Sequence, residues 1–255
     1  MGNFPTGGLK HSLLTGIDYG YLQQGGSGSQ ISTLTLDLFN LSNILPLIPP
    51  SSLPASYHQA QGKDFGVYAQ DLIDLTSQFK VLAGMCADRF ANRALLGGEE
   101  TASSSQTVFS PRVCLVWQPN DRTSFFADWS RSHSPNNGHS VSNSTYDAEI
   151  AEQFEVGVKQ ELIKNRLNAT VAIFDLKRTN IPTTDPLNPT LQVLTGKQAS
   201  QGVEFDLAGT IVPGWKIITA YTYTDAKVKS DTNLPVGDTL SNVPTASPCW
   251  RMEYL

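Results

Sequence analysis

The chain has 255 residues, 40% hydrophobic and only 16% charged, where a soluble globular domain usually carries about 25% charge. Its longest unbroken hydrophobic run is residues 113–117, which excludes a helical membrane span of about 20 apolar residues. The net charge is −5, from 23 acidic and 18 basic residues with no basic stripe, and this argues against a nucleic-acid partner.

Gly and Pro are spread over the whole length, and no segment holds a 3.6-residue apolar period for three turns. Period-two alternation instead predicts strands near residues 10–21, 63–74, 78–90, 108–118, 123–131, 150–162, 167–178, 198–209 and 215–228. A further strand starts near residue 245. The connections at 75–77, 119–122, 163–166 and 210–214 are short, and those at 22–62, 91–107, 132–149, 179–197 and 229–244 are long. Short turns alternating with long polar loops between ten-residue strands are the pattern of an outer-membrane barrel. The expected fold is all-β: an antiparallel up-and-down meander of about nine or ten strands. It forms a partial transmembrane β-barrel, open, with short turns at one end and long loops at the other.

Within strands the apolar positions share one face. Phe125, Ala127 and Trp129 oppose Ser124, Asp128 and Ser130. Phe154, Val156 and Val158 oppose Gln153, Glu155, Gly157 and Lys159. Val203, Phe205 and Leu207 oppose Gly202, Glu204 and Asp206. A barrel with a wet interior keeps such mid-strand charges solvated or paired. The same alternation also fits a soluble sandwich with a solvent side, so a soluble or surface β-protein binding carbohydrate is the alternative. Trp215, Tyr221 and Tyr223 fall on one face at a spacing that suits two aromatic girdles. Asn165 and Pro213–Gly214 are turn formers.

No catalytic motif is present. Cys86, Cys114 and Cys249 form neither a zinc-type pair nor a CxxC unit. His133 and His139 share a segment, with no acidic or cysteine partner at ligand spacing. An enzyme would need a Ser/His or Asp/His pair that converges in space, and no metal or cofactor is expected.

A series of short stretches, in order, resembles the barrel domain of the TonB-dependent siderophore receptors. His11 to Tyr19 (HSLLTGIDY) is similar to that family's H-x-L-L-x-G-x-D-Y strand, and Gly66 to Asp71 (GVYAQD) to its G-x-Y-x-Q-D strand. Leu82, Gly84, Asp88 and Arg89 follow, then Ser110 to Arg112, Trp117 to Pro119 and Glu152 to Lys159 (EQFEVGVK). Phe174 to Asn180, Asp185–Pro186, Gly202 to Glu204, Pro213 to Trp215, Tyr221 to Asp225 and Asn242 to Pro244 complete the series.

The resemblance implies TonB-dependent uptake of a ferric siderophore across the outer membrane, without covalent chemistry. Its implied partners are the siderophore, outer-membrane lipid and the TonB complex, the last reached through a plug region. The implied location is the outer membrane, as a multi-pass barrel. Ligand-capturing candidates in the long loops are Tyr57, His58, His133, His139 and Tyr146, whose π faces and donors suit an anionic chelate; packing or interface anchoring would use the same groups. Leu45 to Pro50 is an apolar, proline-stiffened section near the barrel mouth. Arg112, Glu155, Lys159, Glu204 and Asp206 are expected as lumen-wall charges that pair across strands. Gly84, Gly157 and Gly202 are expected to leave room for another backbone or to mark bends. Cys86 stands where the family usually has Arg, and Cys114 where it has Gly. With fewer than half of the family's ~22 strands, residues 1–255 read as an internal piece of the barrel domain without plug or C-terminal strands, one not competent for transport alone.

Overall fold

The computed structural model describes residues 1–29, 55–136, 146–189 and 191–254, with the backbone alone at 27–29 and 55–58. The strands are β1 (Gly2–Thr6), β2 (Leu9–Ser29), β3 (Ala55–Asp74), β4 (Phe79–Leu96), β5 (Glu99–Asn120) and β6 (Thr123–Ser134). They continue as β7 (Glu149–Ile163), β8 (Leu167–Thr184), β9 (Gln192–Val212), β10 (Trp215–Ser230) and β11 (Ala246–Tyr254). All belong to one antiparallel sheet in sequence order, and β1 and β11 are its unpaired edges among the described residues. No described helix is long and apolar enough to cross a membrane.

The meander, the open sheet and the two-ended distribution of connections agree with the sequence reading. Two parts of it need correction. The first is β1, which pairs with β2 from Gly2↔Leu13 to Thr6↔Leu9 and makes eleven strands. Pro5 breaks the strand signal, and the structure places that proline at a sheet edge, where a missing N–H is tolerated. The second is 91–107, read as a long loop. Here β4 and β5 run on together to Leu96↔Glu99 with Gly97 and Gly98 as the turn, at φ 62° and 93°. Two successive positive-φ glycines suit the turn that matches strand twist. The extension is a run of small polar residues, Ser103 to Ser105, so no apolar alternation announces it.

One face of the sheet is apolar throughout its middle. Opposed residues of neighbouring strands share a face, so Tyr223, Val203, Ile173, Val156, Ala127, Leu115, Val81 and Ile73 form one transverse row. Ile17, Phe154 and Ile173 on this face are 74%, 56% and 52% exposed. Buried apolar side chains are few and mostly small, such as Ala172, Ala199 and Ala226. A soluble sandwich needs two sheets packed over a core; a single sheet with its large apolar groups outward is incompatible with that alternative.

Aromatic rows bound the apolar face. At the short-turn end Phe79, Trp117 and Phe125 stack in sequence, with ring centroids 6.2 and 5.3 Å apart, and Trp215 meets Tyr254 edge-on at 5.6 Å. Trp117 and Phe109 mark the two limits on β5, about 26 Å apart along the strand.

The opposite face is polar. Here Gly157 lies across from Phe126, and Gly202 from Phe174. A Cβ on either glycine would come within 2.5 Å of that ring's Cζ. The space at Gly157 and Gly202 is thus taken both by that ring and by the backbone of the other neighbouring strand, whose carbonyl oxygen, of Val171 or Tyr223, would lie within 2.6 Å of the added Cβ.

Candidate functional site

The polar face carries a charged hollow of about 540 Å³, walled by β5 to β9. Arg112, Glu155, Lys159, Glu204 and Asp206 all line it, together with Asp128. Period two puts them on one face, and the register brings Asp128 opposite Glu155. Arg112 Nε donates to Asp128 Oδ2 at 3.2 Å. Gln153 Nε2 donates to Glu155 Oε2 at 2.9 Å, and Lys159 Nζ sits 5.6 Å from the Phe126 ring. Four carboxylates against two cations leave the hollow net negative. Asp128 is absent from the sequence candidates although its alternation marked it as inward, because its bond to Arg112 depends on the β5–β6 register.

A second group lies on the same face of β2, β3 and β4. Asp18, Gly66 and Asp88 are register partners across three strands, and Cys86 Sγ donates to Asp88 Oδ1 at 3.1 Å. The ligand atoms of Asp18, Cys86 and Asp88 lie within 4.8 Å of one another. Three donors are one short of a tetrahedral protein set.

The loop candidates divide. His133 ends β6, half-buried, with Nδ1 3.3 Å from Ser110 Oγ. Tyr146 is 7% exposed and its hydroxyl donates to the Gln192 carbonyl, so its ring is packed inside the loop cluster. Tyr57 and His58 fall in β3, opposite Ser27 and Gly26. His139 and the 45–50 section lie outside the described residues. Of these five, His133 and Tyr146 are the ones whose side chains are described, and each bonds a different partner, Ser110 and Gln192.

Around Tyr146 the long connections are tied to one another. Asn136 Nδ2 donates to the carbonyls of Asp147 and Asn180, at 2.6 and 3.1 Å. Thr232 Oγ1 donates to the Thr184 carbonyl at 2.6 Å, and Asn233 Nδ2 to Thr184 Oγ1 at 2.8 Å. Amides and hydroxyls spaced along polar loops thus fix the β6–β7, β8–β9 and β10–β11 connections as one surface.

Two histidine pairs do converge. Among the described residues, Ser110 and His133 have no carboxylate bonded to the ring to orient it, and His11 bonds Asp71 at 2.6 Å on the apolar face without a nucleophile. Neither completes the nucleophile–base–orienter arrangement of covalent catalysis.

The family model described as TonB dependent receptor-like, beta-barrel, matches residues 2–247. Among curated proteins, the chain is 31% identical to the metal-pseudopaline receptor CntO of Pseudomonas aeruginosa, over 97% of the chain and 36% of that receptor. It is 27% identical to the ferrichrome outer membrane transporter/phage receptor of Escherichia coli, over 94% of the chain and 33% of that protein. Among solved structures, the ferric-catecholate import receptor Fiu of E. coli superposes with a TM-score of 0.79 at 21% identity, covering 99% of the chain and 40% of Fiu. The siderophore receptor PiuA of Acinetobacter baumannii gives 0.78 at 22%, covering 99% and 42%. The chain therefore spans about a third to two-fifths of the proteins that it matches.

Proposed function

Because the chain belongs to the TonB-dependent receptor β-barrel family and is part of an outer-membrane barrel wall, we propose that its protein imports a ferric siderophore across the outer membrane with energy delivered through TonB. The observation that carries this reading is the near end-to-end match with receptors named for metal chelates. In this reading the apolar face meets lipid and the polar face lines the lumen. The tied loop surface forms the outer mouth, and Tyr57, His58, His133 and His139 are the candidate contacts for the anionic chelate. Tyr146 supports them from within, its hydroxyl already engaged with Gln192. No resident metal or cofactor takes part, iron being cargo. Relatives of this kind are receptors rather than enzymes.

A second cargo, a metal–pseudopaline complex, is favoured by the 31% identity to the receptor of that name. Radiometal uptake by a host stripped of its own receptors and supplied with the gene tests both. A panel of ferric siderophores and divalent-metal chelates should include at least one complex that accumulates, and deleting TonB should abolish that accumulation. Uptake of no complex, or uptake indifferent to TonB, would overturn the reading.

A further inference from the structure

The apolar face ends, toward the long loops, in a line of outward charges. On β6 to β10 three of these cations have an acid beside them, while Lys197 on β9 is exposed without an ion pair among the described residues. Arg131 bonds Glu152 at 2.6 Å, Lys177 meets Asp175 at 3.2 Å, and Lys227 meets Asp225 at 2.9 Å. On β3 and β4 the equivalent cations are Lys63 and Arg89. Both are exposed, and neither makes an ion pair among the described residues. Arg89 is opposite Phe65, which is opposite Tyr19; Lys63 is opposite Tyr21, one step farther toward the loops. Diagonal neighbours of this kind are about 7–8 Å apart at Cα, within joint reach of one anion for long side chains. Arg93 continues the same face and is partly neutralised by Glu100 at 3.6 Å.

We propose that Lys63 and Arg89 hold the phosphate of an outer-leaflet lipid, whose chains lie along Ile17, Tyr19, Phe65 and Phe109. The charge has no partner within the described wall, and it sits where the apolar surface stops, which is the level of the headgroups. The exposed ring faces directly below supply an apolar wall that a free phosphate ion would not use. Stems of Lys and Arg lie along such a surface while their heads reach the polar layer. The inference rests on the apolar face being lipid-facing and is independent of which chelate is imported.

The test uses the chain purified from membranes in a maltoside detergent. Adducts with dilauroyl phosphatidic acid and with dilauroyl phosphatidylcholine are counted by native mass spectrometry. Wild type should retain phosphatidic acid preferentially. The variant K63Q/R89Q should lose that preference, by about fivefold for each charge removed. K63R/R89K should restore it, and K227Q, which removes an already paired cation, should leave it unchanged. Equal retention by K63Q/R89Q and wild type overturns the proposal. So does an equal loss in K227Q, or full competition by millimolar inorganic phosphate. A chain that stays monomeric in buffer without detergent would overturn the lipid-facing reading as well, and so separates the two failures.

Discussion

His11 and Asp71 meet at 2.6 Å although 60 residues separate them in the chain. They lie on the apolar face, with side chains 13% and 23% exposed. The Phe4 ring stacks on His11 at 4.9 Å, tilted by only 3°. His11 Nε2 and Asp71 Oδ1 are left buried with no partner. Such a pair gains little net stability, but losing one member strands the other. Asp71→Leu should therefore destabilise the sheet by about 1–3 kcal/mol. H11L/D71L should recover most of that loss, since two leucines suit a lipid-facing wall. Urea unfolding in micelles measures both; a double variant no more stable than the single one would show that the stranded histidine is not the cause. Both residues belong to stretches singled out in the sequence, HSLLTGIDY and GVYAQD, yet nothing local joins them. Only the β2–β3 register, set across a long connection, makes them neighbours.

The β4–β5 hairpin shows what a strand looks like once it leaves the apolar band. From Ala91 to Thr107 the pairing continues, but most side chains are small or polar and the two leucines, Leu95 and Leu96, are adjacent, so no period-two apolar signal forms. The turn remained readable in principle, since consecutive glycines between two strands mark a tight reversal. A Cβ at Gly98 would meet nothing within 4 Å, so its φ of 93° is the only obstacle to substitution there. Gly98→Val should cost about 1–2 kcal/mol through backbone strain alone. Hydrogen exchange at 91–107 should quicken by about tenfold, while amides at 79–88 keep their protection. Quickening across all of β4 would mean that the extension and the band unfold as one unit. The short turns were legible for the same local reason: Asn165 sits at φ 55° and Gly214 at φ 86°.

At the scale of the whole molecule, the wall charges were legible and their partners were not. Alternation is a property of one strand and placed Arg112, Glu155, Lys159, Glu204 and Asp206 on a common face. The hollow they line is made by five strands whose offsets no single strand encodes. Tyr146 was visible as a loop aromatic, but its burial depends on Gln192 from another hairpin. The sheet is open among the described residues, and this bears on ligand binding. A site that holds a small molecule tightly buries about 70–90% of its surface, whereas one wall touches a ligand from one side only. Residues 1–255 alone, refolded in detergent, should bind no ferric siderophore at micromolar affinity in equilibrium titration. Micromolar or tighter binding by this chain would locate a self-sufficient site within its loops.

Each strand pairs only with strands adjacent in sequence, and that order has a kinetic meaning. Folding never has to bring distant parts of the chain together before a contact rewards it, so the wall can assemble as a zipper of hairpins. The tight reversals at 7–8, 97–98, 121–122 and 213–214 close at the least entropic cost. Closing across the long β2–β3 connection costs about 2 kcal/mol more by chain statistics. Hairpins β1–β2, β4–β5, β5–β6 and β9–β10 are therefore the seeds, and the β2–β3 seam is the step that waits. A chain cut within that long connection makes the waiting step bimolecular and should assemble more slowly on dilution, whereas one cut at Pro213–Gly214 gives up a seed.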